Sequence, residues 1–197
     1  ALSKEAFLHM LDSFAELGEI LEKNLEKAAI LIRDFKLTST DQSNQELKMV
    51  SAKEYIEAVM HSLNGRFSPL GIDWTVEADE DEHPMYIAVM NQILVNLALN
   101  SVSHAFPDGH GGHIRIVYKR TDGNYRLEYQ DNGKGISEEF LNHIFEPFFT
   151  TERGRGFPGL GLNIVHNLVK DILKGDIQCT VPPGGGVAFI MEFPVPA

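Results

Sequence analysis

The chain has few positive charges, almost no cysteine and no long apolar run, and each shortage excludes a class of protein. Its 17 lysines and arginines stand against 28 aspartates and glutamates, a formal net charge of -11, which argues against nucleic acid or an anionic membrane surface as a partner. The single cysteine, Cys179, excludes an internal disulfide framework and is typical of a reducing, cytoplasmic compartment. No stretch approaches the roughly 20 apolar residues of a membrane span, so we expect no membrane contact by these residues.

A seven-residue apolar pattern predicts one long amphipathic helix over about residues 3–36, followed by a polar linker that ends at residue 45. The pattern is typical of a helical bundle or coiled coil, and too little sequence surrounds it to cover it within the chain. We therefore expect a partner helix, and because the pattern is already present at Ala1, we expect the chain to be part of a longer protein. The two apolar rows are Leu11, Leu25 and Ile32, and Phe14, Leu21, Ala28 and Phe35.

Residues 45–197 are predicted to form one domain of helices and strands. Ser51 and Glu54 have the spacing of a capping box, Pro84 suits the first turn of a helix, and Asp122-Gly123 between two alternating runs predicts a hairpin. The expected helices cover about residues 52–64, 84–105, 138–143 (after a Ser137 cap) and 160–173. The expected strands cover residues 72–77, 114–119 and 125–129 and surround Ile177 and Phe189. The predicted fold class is α+β: a two-layer sandwich of a mixed, mostly antiparallel sheet covered by helices on one face, preceded by the long N-terminal helix.

Two asparagines lie four residues apart in the apolar segment Gln92-Ile93-Leu94-Val95-Asn96-Leu97-Ala98-Leu99-Asn100. This spacing places Asn96 and Asn100 on one face of a helix whose other face addresses the core. Asparagine is a poor helix former, so two on one face of such a helix indicate a function. A carboxamide oxygen is a hard, neutral ligand that suits Mg²⁺.

Two glycine-containing segments follow. Asp131 begins Asp131-Asn132-Gly133-Lys134-Gly135-Ile136, where its carboxylate can accept a hydrogen bond from the exocyclic amine of adenine; guanine presents a carbonyl there and is disfavoured. Residues 154–161 then carry four glycines before a predicted helix, and a glycine-rich loop that enters a helix N-terminus is suited to bind phosphates. Lys134, Arg153 and Arg155 can offset the charge of such a ligand.

In this order, with Phe145-Glu146-Pro147-Phe148-Phe149-Thr150-Thr151 between the glycine segments, the motifs resemble the catalytic, ATP-binding domain of sensor histidine kinases. This family also includes gyrase, the MutL repair proteins and heat-shock chaperones. The resemblance covers about residues 46–195. It implies that residues 1–44 are a partial dimerisation and phosphotransfer helix with its linker, and that residues 45–197 are the ATP-binding domain.

The resemblance also implies roles for single residues. Asn100 would ligate Mg²⁺, Asn96 would line the phosphate region, and both would be catalytic; Asp131 would bind adenine. The implied nucleotide-binding set is Asn96, Asn100, Asp131, Gly133, Gly135, Ile136, Thr150, Thr151, Gly156, Gly159, Leu160, Gly161 and Leu162. Hydrolysing relatives carry a glutamate in place of Asn96, and because an amide cannot act as a general base, phosphoryl transfer is favoured over hydrolysis.

The sequence departs from the family pattern at three places. Ser103 and His104 stand where a basic residue is usual, and Phe157-Pro158 replaces small residues in the second glycine segment. No His-Glu/Asp-x-x-x-Pro motif occurs, so the phosphoacceptor histidine is expected on a helix that precedes these residues.

The favoured interpretation is the ATP- and Mg²⁺-binding part of a cytoplasmic sensor histidine kinase, free or within a longer membrane-associated sensor. The intact protein would be a homodimer through its N-terminal helix and would transfer phosphoryl from ATP to a histidine and then to the receiver domain of a response regulator. Three alternatives remain: an ATP-hydrolysing relative, a serine-phosphorylating relative, and a non-catalytic nucleotide-binding dimerisation module.

Overall fold

The computed structural model describes residues 46–106, 111–151 and 159–196, together with Ser13, Phe14, Leu17, Gly18, Leu21 and Leu25. The chain divides into two compact units, one of Ala1–Thr40 and Thr150–Pro158, the other of Asp41–Phe149 and Gly159–Ala197. The six described positions near the N-terminus are helical, as the apolar pattern predicts. Most of the predicted N-terminal helix and the linker lie outside the described residues. Among the described residues, no helix combines the length and apolarity needed to cross a membrane.

A five-stranded mixed sheet forms the framework of the second unit. Its strands are β2 (Ile72–Ala78), β4 (Gly112–Thr121), β5 (Asn124–Asp131), β6 (Asp176–Thr180) and β7 (Val187–Pro194), in the spatial order β2-β4-β5-β7-β6. Only the β2–β4 pair of this sheet is parallel; β4–β5, β5–β7 and β6–β7 are antiparallel. The predicted α+β class with a mixed, mostly antiparallel sheet is confirmed.

The second unit also contains a separate two-stranded sheet. Its strands, β1 (Leu47–Ser51) and β3 (Glu82–Tyr86), pair antiparallel with Met49 opposite Pro84. The prediction that Pro84 opens a helix is therefore wrong. In a two-stranded sheet each strand has an outer edge at which a residue without an N–H group is tolerated.

Three of the helices lie close to predicted positions, whereas the short helix over Asn64–Phe67 was not predicted. The helices are α1 (Ala52–Ser62), α2 (Asn64–Phe67) with the 3-10 turn Ser68–Leu70, α3 (Ile87–Asn100) with the π-helical turn Ser101–Ala105, and α4 (Gly161–Asn167) with the π-helical turn Leu168–Ile172. The Ser51 hydroxyl accepts a hydrogen bond from the Glu54 N–H at 3.3 Å, so the predicted cap of α1 is present.

The predicted helix over residues 138–143 is wrong, because only the 3-10 turn Glu138–Phe140 forms there. Ser137 was expected to cap that helix through its side chain. Instead, the Ser137 hydroxyl donates to the Glu139 carboxylate at 3.2 Å and makes no capping bond to the backbone.

The core lies between the sheet and helices α1, α3 and α4. Along β5 the side chains alternate: Tyr125, Leu127, Tyr129 and Asp131 are buried, whereas the residues between them are partly exposed. The inner face of α3 contributes Ile93, Leu94, Leu97 and Ala98, all fully buried. Because this face is fixed in the core, the direction in which Asn96 and Asn100 project from α3 is fixed as well.

We expect Ile93→Ala to lower the free energy of unfolding by about 2–5 kcal/mol, since it removes fully buried methyl groups and leaves a cavity. Urea unfolding followed by the fluorescence of Trp74, the single tryptophan, measures the loss. Asn91→Ala, at an exposed position of the same helix, is the matched control and should change stability by less than about 0.5 kcal/mol. Equal unfolding midpoints for the two variants would contradict this description of the core.

Candidate functional site

Asn96 and Asn100 converge on the beginning of α4. A Cβ atom built on Gly161 would lie 3.4 Å from Asn100 Oδ1 and 3.6 Å from Asn96 Oδ1. The Nδ2 atoms of both asparagines are buried and have no hydrogen-bond partner among the described residues. A buried polar atom without a partner costs about 1–3 kcal/mol, so such a pair is expected where a ligand completes the hydrogen bonds.

The beginning of α4 leaves backbone N–H groups available at the same place. Its N-cap residue, Leu160, makes no side-chain capping bond, so the Leu160 side chain satisfies none of the first-turn N–H groups, and Gly161 in that turn lies beside the asparagine amides. Gly159 has a φ of +70°, and a Cβ atom there would lie 2.6 Å from the Phe149 carbonyl oxygen. Glycine is therefore required where the chain enters this helix.

Asp131 ends β5 with a carboxylate that is almost fully buried, at 3% exposure. Its Oδ1 accepts hydrogen bonds from the Gly133 N–H at 3.0 Å and the Val187 N–H at 3.3 Å. Its Oδ2 accepts from the Ser101 hydroxyl at 2.8 Å. Burial raises the pKa of Asp131 above its ordinary value, and these three donors partly offset that rise because they stabilise the ionised form.

Glycines allow three backbone segments to meet beside Asp131. A Cβ atom on Gly133 would lie 2.6 Å from the Ala105 carbonyl oxygen, and one on Gly135, whose φ is +78°, would lie 3.2 Å from the Gly186 carbonyl oxygen. A Cβ atom on Gly186 would collide with the Asp131 backbone carbonyl. Larger residues would push apart the segments that surround the carboxylate.

The remaining residues of the predicted set are only partly described. Leu160 is buried, and Ile136 and Leu162 are half-buried. Thr150 and Thr151 belong to the first compact unit. Gly156 lies outside the described residues, as do Arg153, Arg155 and Phe157-Pro158. The structure therefore brings together Asn96, Asn100 and Gly161 on one side, and Asp131 with Gly133 and Gly135 on the other.

Sequence reasoning missed three polar side chains of this region. Ser101 and Tyr129 lie behind Asp131, and the Asn163 amide donates to the Phe145 carbonyl at 2.9 Å, which ties α4 to the segment between the two glycine motifs. Ser101 could have been found from the sequence, because it is a small polar residue directly after Asn100 on an otherwise apolar helix. Tyr129 carried no signal, because an alternating strand accommodates tyrosine without any hydroxyl partner.

A metal at this site would depend on amides, phosphates and water. Among the described residues, no group of three or more histidine, cysteine, aspartate or glutamate side chains is arranged to hold an ion. Magnesium binds few protein groups and keeps phosphate oxygens and waters as its other ligands. The Oδ1 atoms of Asn96 and Asn100, which lie beside Gly161, are oxygen ligands of that kind. The buried Nδ2 atoms without partners are donors and suit phosphate oxygens rather than a metal.

A model of the family of histidine kinase-, DNA gyrase B- and HSP90-like ATPases matches residues 87–197, which contain all of these groups. Among curated proteins, the chain is 34% identical over 150 residues to the autoinducer 2 sensor kinase/phosphatase LuxQ of Vibrio harveyi. That alignment covers 69% of the chain and 17% of LuxQ. The chain thus spans about a sixth of the length of this relative.

Two solved structures show the same fold at moderate identity. The catalytic domain of histidine kinase ThkA has 29% identity and a TM-score of 0.66, with 76% of this chain and 96% of that domain covered. ThkA in complex with the response regulator protein TrrA has 25% identity and a TM-score of 0.71, with 90% of this chain and 50% of that one covered.

The burial of Asp131 predicts a pH-dependent stability. Because its pKa is raised on folding, its contribution to stability is complete below the ordinary pKa and is lost as pH rises through the folded-state pKa. We expect the free energy of unfolding of the wild type, relative to Asp131→Asn, to fall as pH rises from the ordinary carboxyl pKa through the raised pKa of the folded state. Urea unfolding at a series of pH values measures both proteins, and a difference that is constant with pH would contradict the raised pKa.

Proposed function

The chain belongs to the family of histidine kinase-, DNA gyrase B- and HSP90-like ATPases, and we propose that it is the ATP-binding catalytic part of a two-component sensor histidine kinase. The observation that carries this proposal is the convergence of the Asn96 and Asn100 amides on the beginning of α4. Amide groups and backbone N–H groups at one point form a site for phosphates, and Asp131 provides a separate site for the base.

On the phosphate side of the site, hydrogen-bond donors would position the phosphates and positive electrostatic potential would stabilise their charge. The first-turn N–H groups of α4 and the helix dipole favour a polyphosphate, and the buried amides can donate to its oxygens. Mg²⁺, with Asn100 as its protein ligand, would neutralise phosphate charge. This electrostatic help matters because ATP is a polyanion and the chain has a formal net charge of -11.

The base side of the site selects by hydrogen-bond polarity. Asp131 offers an acceptor in a buried setting, where adenine can donate its exocyclic amine and guanine would face the carboxylate with a carbonyl oxygen. Leaving buried polar groups unpaired is more costly than losing a contact in water, so the discrimination is strong.

The position of Asn96 favours phosphoryl transfer to a protein side chain over hydrolysis. Its amide lies beside Gly161, but an amide cannot remove a proton from water. In the intact protein the phosphoryl acceptor would be a histidine outside these residues, and the second acceptor an aspartate of a response regulator receiver domain. The ThkA–TrrA complex supports a response regulator as the partner.

A homodimer through the N-terminal helix and a cytoplasmic location are parts of the same proposal. The four large apolar side chains described in that helix, Phe14, Leu17, Leu21 and Leu25, are 56–63% exposed. Their spacing of three and four residues places them along one face of the helix, which suits a partner helix. The single cysteine supports a reducing compartment.

Asp131→Asn tests the base site. We expect the wild type to bind ATP in preference to GTP in titration calorimetry, and Asp131→Asn to weaken ATP binding about tenfold or more without weakening GTP binding. The exposed Asp79→Asn makes the same change of charge and should leave both affinities unchanged. Unaltered ATP affinity in Asp131→Asn would refute the assignment of the base site.

Asn100→Ala tests the magnesium ligand. We expect this variant to lose most of the increase in ATP affinity that magnesium gives the wild type, since one ligand and one phosphate donor are removed. The control is Asn91→Ala, an exposed position of the same helix, which should keep the full effect. Calorimetric titrations with and without magnesium make the comparison, and equal magnesium effects in the two variants would rule out Asn100 as a ligand. Steady ATP hydrolysis by the wild type alone would instead favour an ATPase.

A further inference from the structure

A chain of two hydroxyl groups leads from the core to the carboxylate of Asp131. The Tyr129 hydroxyl donates to Ser101 Oγ at 3.0 Å, and the Ser101 hydroxyl donates to Asp131 Oδ2 at 2.8 Å. All three side chains are buried, with exposures of 0%, 2% and 3%. Neither Tyr129 nor Ser101 has a role in the family motifs described above.

The direction of these hydrogen bonds is fixed by chemistry. An ionised carboxylate can only accept, so the single proton of the Ser101 hydroxyl must point to Asp131. Tyr129 must then donate to Ser101. Burial raises the pKa of Tyr129 far above its ordinary value, so its phenol keeps the proton that this arrangement requires.

The remaining acceptor capacity of Asp131 can be counted. A carboxylate has about four acceptor positions, two on each oxygen. Gly133 and Val187 occupy both positions on Oδ1, and Ser101 occupies one on Oδ2. With the donors of the described residues counted, a single acceptor position is therefore left on Oδ2, and its direction is set by the position of the Ser101 hydroxyl.

The hydroxyl chain also joins the two sides of the site. Ser101 directly follows Asn100 at the end of α3, whereas Asp131 and Tyr129 belong to β5. The element that carries the asparagine pair is thus hydrogen-bonded to the carboxylate at the base site.

We propose that Ser101, held by Tyr129, is a positioning residue for base selection: it directs the one open acceptor position of Asp131 toward the exocyclic amine of adenine. This inference rests on the proposed function, because it requires that Asp131 binds a purine amine. Without the Ser101 hydroxyl, Oδ2 would have two open positions, and water could occupy the one that serves the base.

The test compares ATP with purine riboside triphosphate, which lacks the exocyclic amine. We expect Ser101→Ala to weaken ATP binding about fivefold to tenfold, while binding of purine riboside triphosphate changes by less than about twofold. A general loosening of the fold would weaken both ligands alike. Calorimetry on the 197-residue chain provides the four affinities.

Tyr129→Phe extends the test without changing the size of the ring. It should weaken ATP in the same selective way but by a smaller factor, because Ser101 keeps its bond to Asp131. Tyr118→Phe is the matched control, since it removes an equally buried tyrosine hydroxyl from the neighbouring strand β4, where that hydroxyl has no hydrogen-bond partner among the described residues. It should leave the preference for ATP unchanged.

A second readout is the pKa of Asp131 itself, measured from its carboxyl carbon by NMR in the absence of nucleotide. Ser101 stabilises the ionised form, so Ser101→Ala should raise this pKa, whereas Tyr118→Phe should not. If Ser101→Ala does not fold, Tyr129→Phe carries both measurements.

The outcomes separate the inference from the proposed function. If the wild type prefers ATP over purine riboside triphosphate, and Ser101→Ala and Tyr129→Phe keep the full preference or weaken both ligands equally, the positioning role is refuted and the ATP site stands. If the wild type binds neither nucleotide, the proposed function fails and the inference fails with it.

Discussion

The buried carboxylate of Asp131 is the constraint on which the arrangement of the site depends. An ionised group inside a protein is costly unless hydrogen bonds compensate for the lost water. Its three donors come from three places: the turn after β5, the start of β7 and the end of α3. Satisfying one carboxylate therefore fixes the relative positions of a turn, a strand and a helix, and these elements surround the group that we propose to bind the base.

Close backbone packing follows from that arrangement. The segments around Asp131 approach so tightly that Gly133 and Gly186 have no room for a side chain. The rule is the same at Gly159, where the chain enters α4 against the Phe149 carbonyl. Gly159 and Gly186 each combine a positive φ with a close contact to another backbone segment, and both lie beside the candidate site.

The sheet and the helices contribute different groups to the candidate site. In the proposed function, the strand β5 ends in the acceptor for the base, while α3 and α4 would supply amides and N–H groups for phosphates. The core side of α3 is fully buried, so the asparagine pair is held by rigid packing. The Nδ2 atoms of that pair have no hydrogen-bond partner among the described residues. In the proposed function, the phosphates of a bound nucleotide would accept these missing hydrogen bonds.

The sequence by itself determined the elements whose signals are local. Alternation along β5, the hairpin at Asp122-Gly123, the cap at Ser51 and the four-residue spacing of Asn96 and Asn100 each depend on neighbours in the chain, and each appears in the structure. The motif order also identified the family. These features were predictable because backbone geometry sets a period of two in strands and about 3.6 in helices.

Only the tertiary structure decided which groups meet. Tyr129 reaches Ser101 across 28 residues, Ser101 reaches Asp131 across 30, and Val187 reaches Asp131 across 56. Pro84 joined a strand because β1 was available to pair with it, although its local preference also suits a helix. Local periodicity specifies which way a side chain faces, but the partner it meets depends on how distant elements pack.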